Sequence, residues 1–138
     1  MAIEQQTTME VSNQNPPEAN SHEFALITFI QKMDSEMVEL LLDDNRIYQG
    51  MTKKEFIRNM DVVFQKAQLA GDNGLAVFPF RCTGCTCQRS GISIYLFSGR
   101  RSGIAMLLTF ELDNNKHVTN LYECPNVSHK LLATASIY

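Results

Sequence analysis

The stretch from Lys32 to Phe64, KMDSEMVELLLDDNRIYQGMTKKEFIRNMDVVF, decides how the rest of the chain is read. It holds a helix restart, a short extended piece and a second well-marked helix. Thr52 precedes an apolar pattern and Glu55 follows three residues later, the spacing at which a hydroxyl and a carboxylate satisfy each other's backbone N–H groups. Met51 before that cap and Phe56 after it are placed as a hydrophobic staple. From there Phe56, Met60, Val63, Phe64 and Ala67 recur at helical spacing, with Lys53, Lys54, Arg58, Asp61, Gln65 and Lys66 on the other side, and Gly71 as the natural stop. Upstream, Asp34 or Ser35 can cap a helix whose apolar stripe is Met37, Leu40 and Leu41. Asp43 to Gly50, bounded by turn formers, reads as one short strand.

Working outward, the chain of 138 residues fits one domain with a core of its own. A net charge of −3 offers no field for a polyanion, so nucleic acid is not an expected partner. Arg100 and Arg101, the one adjacent arginine pair, fall in a turn and read as a solvated tip. Neither a leader-like apolar run near the start nor a stretch approaching the roughly 20 apolar residues of a membrane span is present, so the expected location is cytoplasmic, with no membrane partner. In that reducing setting cysteines are expected as thiols or metal ligands.

Residues 1–20 are rich in Gln, Glu, Asn, Thr and Pro and read as a disordered tail; 21–126 form the domain and 127–138 a C-terminal extension. Asn20 and Glu23 form a capping pair for a first helix with the stripe Phe24, Ile27, Ile30 and Met33, widened by Leu26 and Phe29. After Gly71 the pattern becomes alternation. Leu75 to Cys82, Ile92 to Phe97, Ile104 to Leu112 and Val118 to Cys124 read as four strands joined by short turns, hence an antiparallel meander. Pro79 cannot donate to a ladder and places its strand at an edge or on a bulge. The fold class expected is α+β, a curved antiparallel sheet of one short strand plus a four-strand meander wrapped around two to three N-terminal helices. Both faces of the third meander strand are apolar, which points to a homodimer through the sheet or to a second face covered by the tail or the last residues.

This order of elements resembles the nuclear transport factor 2-like superfamily, including the SnoaL-like proteins, over roughly Phe24 to Cys124. The resemblance rests on Lys32 to Val38, Leu41-Leu42-Asp43-Asp44, Tyr48-Gln49-Gly50 and Thr52 to Phe56, which are structural signatures. It implies a cone-shaped fold with a cavity between helices and sheet, commonly dimeric, and it does not fix function, since the superfamily spans enzymes and binding subunits. The ketosteroid isomerases of that superfamily use an Asp base with an oxyanion hole made by a Tyr and a protonated Asp. Aligned on the Asp-Asp pair, their base falls at or near Gln49 and their helix-one Tyr at or near Ala25, and neither residue can act in those roles.

Cys82, Cys85 and Cys87 cluster in the loop between the first two meander strands, and Cys124 ends the fourth. Thiolates at CxxC spacing suit tetrahedral zinc, with His129 or a partner chain as a further ligand source. Alternating strand directions place Cys124 toward the opposite end of the sheet, so reduced cysteines filling space and a redox pair at Cys82 and Cys85 stand beside zinc. Tyr48, Phe64, Tyr95 and Phe110 are candidates to line a cavity that takes a small apolar ligand, with core packing as the alternative. His22 and His117 are expected exposed and without a recognisable partner for nucleophilic or metal chemistry, and Glu123, an acid or base if it faces inward, reads as solvated at a strand end. No Gly-rich phosphate loop, nucleophile elbow or paired-histidine motif is present, and the reading leans away from an enzyme. It favours a dimeric module that binds a small apolar molecule or a protein; the alternatives are a zinc-stabilised module and an isomerase or hydrolase, for which a buried carboxylate opposite Tyr48 or Tyr95 would supply the missing base.

Overall fold

The computed structural model describes residues 18–81, 91–125 and 130–132. In it the chain is an α+β domain in which three helices, α1 (His22–Gln31), α2 (Ser35–Leu41) and α3 (Lys53–Leu69), precede a sheet built by β3 (Ala76–Phe80), β4 (Ile92–Ser98), β5 (Ala105–Leu112) and β6 (Val118–Glu123). Those four strands pair in chain order, each antiparallel to the next, so the meander stands and Pro79 lies on an edge strand as its missing donor requires. The short strand is a hairpin instead: β1 (Ile47–Tyr48) pairs β2 (Met51–Thr52) as a separate two-stranded sheet. Its turn, Gln49-Gly50, has φ of 52° and 72°, the two left-handed residues that suit the twist of a two-residue hairpin.

Local chemistry explains the helix ends. Thr52 and Glu55 make both bonds of the capping box. α3 closes with Gly71 at φ 103°, its N–H on the Gln68 carbonyl and the Asp72 N–H on the Ala67 carbonyl, the paired bonds of a Schellman turn. α1 closes the same way with Met33 where glycine is usual: Met33 has φ 60°, and the N–H groups of Met33 and Asp34 bond the carbonyls of Ile30 and Phe29. Asp34 then caps α2 by accepting from the Met37 N–H.

Three local expectations are corrected. The α1 cap is Ser21, whose hydroxyl accepts from Phe24 N–H, and Glu23 is buried rather than capping. Phe24 is 41% exposed, because the buried face of α1 runs through Glu23, Leu26, Ile27 and Ile30. In α2, Val38 is the fully buried residue and Leu40 stands in solvent.

The helices cover one face of the sheet. Cross-strand partners Tyr95 with Leu108 and Phe97 with Met106 point into the core, and Phe110 pairs Leu121 there. On β6 both Val118 and Leu121 are fully buried although they are three residues apart. A bulge reconciles this with alternation: Leu112 pairs Val118 and Glu111 pairs Asn120, leaving Thr119 as the extra residue that resets the phase and bends the strand. Leu132, in the C-terminal extension, is fully buried in the same core.

Candidate functional site

The four aromatic candidates are all buried in one core cluster. Tyr95 and Phe110 meet edge to face with centroids 5.4 Å apart, while Tyr48 packs against Phe56 at 5.7 Å. None of them lines the open groove of about 540 Å³ between the α2–β1 loop and the start of α3, whose walls include Glu39, Asp44, Arg46, Thr52, Lys53 and Lys54. That groove is charged, and Lys53 already bonds the Leu42 carbonyl and Asp44. Cys82, Cys85, Cys87 and His129 lie outside the described residues. Cys124 is buried, and among the described residues no group of three His, Cys, Asp or Glu side chains is placed to hold a metal ion.

Polar chemistry gathers instead around the first turn of α1, which carries His22 and Glu23 side by side. Glu23 enters the core and accepts from the Tyr95 hydroxyl at 2.8 Å, both residues being buried. A carboxylate withdrawn from water with a phenol on it is the pairing that proton-transfer sites use, and it is also a satisfied structural bond. The sequence marks neither outcome, since the two residues are 72 positions apart.

His22 turns the other way. Its Nδ1 accepts the Val118 N–H at 2.9 Å and its Nε2 donates to the Leu41 carbonyl at 2.7 Å. An N–H can only donate, so these bonds fix the neutral ring with its hydrogen on Nε2. His117 stacks on it with centroids 4.0 Å apart and planes 3° from parallel. The His117 Nε2 lies 2.9 Å from both oxygens of Asp43, and its Nδ1 has no partner among the described residues. Both rings are half-buried and hydrogen-bonded, so the expectation that they are exposed is corrected.

Asp43 is the hub. It receives Arg46 Nε at 3.0 Å, and its N–H donates to the Tyr48 hydroxyl at 2.8 Å. Burial pushes the Asp43 carboxyl up, but the hydrogen bond and charge of His117, then those of Arg46, outweigh it and hold the group below the usual carboxylate range. Burial first of all pushes the Tyr48 phenol above its ordinary value.

Glu123 is the third departure from expectation. It is buried, accepting from Gln49 Nε2 at 3.0 Å and from the N–H groups of Leu131 and Leu132 at 2.6 and 3.1 Å. Asn59 completes the join by donating to the Leu132 carbonyl at 2.9 Å. Glu123, itself held by Gln49, thus braces the C-terminal segment.

The fold and these sites define an α+β domain with a helix-covered antiparallel sheet and a polar node at one helix start. Comparison with family models, with curated proteins and with solved structures returns no match to this chain. Among the described residues no helix is long and apolar enough to cross a membrane.

Proposed function

We propose that this chain is a binding module of the nuclear transport factor 2-like kind that works as a homodimer through the outer face of its sheet and engages a protein partner or a small apolar molecule. The observation that carries this reading is one cross-strand row on the face turned away from the helices, Phe78 with Leu96 and Leu96 with Leu107. Phe78 is 46% exposed and its two neighbours are only partly covered, with exposed Ala76 and Ala105 one row further along. An apolar strip on β3–β5 supplies the dry centre that an interface of about 800 Å² per partner needs. Its test is native mass spectrometry and light scattering of the full chain. A dimer that Phe78→Asp with Leu107→Asp converts to a folded monomer supports the reading; a wild-type monomer at micromolar concentration overturns it.

The buried Glu23–Tyr95 pair favours a second reading, proton transfer on a small substrate admitted to the inner face of the sheet. In that case Glu23 moves the proton and the Tyr95 hydroxyl holds developing negative charge. Thermal-shift screening with enolisable carbonyl compounds separates the two readings, since a dimer that no such compound stabilises argues for the binding module alone.

A further inference from the structure

His22 is held in a way that only one protonation state satisfies. Both ring nitrogens are used, one as donor to Leu41 at the end of α2 and one as acceptor from Val118 at the start of β6. A proton added to Nδ1 turns that acceptor into a donor aimed at another donor, and the Val118 N–H, on a fully buried residue, loses its partner. His117, stacked at 4.0 Å, meets no such conflict, because its Nε2 hydrogen already faces Asp43 and its Nδ1 has no partner among the described residues. The first proton on the pair therefore strengthens the Asp43 contact. The second must settle on His22, against the Val118 N–H and beside a ring already charged.

We infer that the His22–His117 stack is an acid-sensitive catch, which fastens the start of α1 to α2 and β6 and releases it when both rings carry a proton. Among the described residues the charged groups around it sit on three packed elements. On α1, Glu23 is engaged with Tyr95. On the α2–β1 loop, Asp43 holds His117 and Arg46, and Asp44 is paired with Lys53. On the β5–β6 turn, Asp113 accepts the backbone N–H of His117, and Lys116 is exposed. Asp43 thus steadies one proton on the pair through His117, and among the described residues no carboxylate bonds His22. Release lifts the turn that also carries Glu23, so the catch governs access to the inner face of the sheet and does not depend on the dimer.

The test is amide hydrogen exchange and imidazole ¹⁵N chemical shifts on the full chain between about pH 8 and 5, the range in which imidazoles change charge. Corrected for intrinsic rates, Val118 protection should fall roughly tenfold or more while Phe97 and Leu108 in the sheet centre keep theirs. In His22→Asn the amide oxygen accepts from Val118 without titrating, and protection there should stay level. Val118 protection that stays level in the wild type, or falls equally in His22→Asn, overturns the proposal. Should that variant not fold, the wild type still decides: His22 gaining its proton with an unmoved Val118 amide refutes the catch, and the two changing together uphold it.

Discussion

Gln49 and Glu123 hold each other at both ends: the Gln49 side-chain amide donates to Glu123 Oε1 at 3.0 Å, and Gln49 Oε1 accepts the Glu123 backbone N–H at 2.8 Å. The hairpin turn places Gln49 for this, and the remaining capacity of the carboxylate goes to the Leu131 and Leu132 N–H groups. Glu123→Gln keeps the volume but turns one acceptor into a donor facing donors. Leaving buried groups unpaired costs about 1–3 kcal/mol, and urea unfolding should show a loss of that size. The C-terminal segment should lose protection first.

Tyr95→Phe and Glu23→Gln separate the two ends of the buried pair. The first leaves a buried carboxylate without its phenol and should cost about 1–3 kcal/mol. The second still offers an oxygen to the Tyr95 hydroxyl and should cost less, so equal losses in thermal unfolding would contradict the assignment.

Asp72 ties the end of α3 to the β4–β5 turn by accepting the N–H groups of Arg101 at 2.7 Å and Ser102 at 3.2 Å. The Ser102 hydroxyl first, then the Arg101 N–H, hold its carboxyl below the usual range. A group depressed on folding stabilises above its unfolded value and loses that contribution as pH falls through its folded value. Asp72→Asn should therefore be less stable than the wild type at neutral pH, and the gap should narrow below about pH 4. Gly99→Ala probes the same junction, since a Cβ there would strike the Asp72 carboxylate and the Ser102 hydroxyl.

Met33 and Lys116 share nearly the same left-handed backbone, φ 60° and 65°, in opposite surroundings. Relieving such a conformation with glycine is worth roughly 1 kcal/mol. Lys116 is exposed, so Lys116→Gly should raise stability by up to about that amount. Met33 is a buried member of the core, where deleting a large side chain costs about 2–5 kcal/mol, so Met33→Gly should be a net loss. Differential scanning calorimetry of the two variants should show shifts of opposite sign.

What the sequence discloses here is what neighbours in the chain decide between themselves. The Thr52–Glu55 box, the stop at Gly71, the α3 stripe and the four alternating strands are all local, and all are present. The hairpin at Gln49-Gly50 is missed because glutamine is an unusual first residue for a left-handed pair. Glu23 reads as a cap because its spacing from Asn20 allows it, but the phenol of Tyr95 wins it. The His22–His117 stack joins residues nearly a hundred positions apart, and Glu123 meets its C-terminal partners only once the core has drawn Leu132 in. Contacts of that reach leave no periodic trace along a single chain.

The extra residue in β6 gives this strand one residue of slack. With Leu121 seated on Phe110 and Asn120 opposite Glu111, removing Thr119 would draw Val118 straight into line opposite Leu112, so the inward seats survive and only the bend is lost, just as lengthening the Asp113–Lys116 turn leaves every seat as it was. Deleting Thr119 should therefore leave a folded domain with a straighter β6, where deleting Thr109 from the evenly paired β4–β5 ladder, which turns the residues beyond it to the wrong face, should abolish folding.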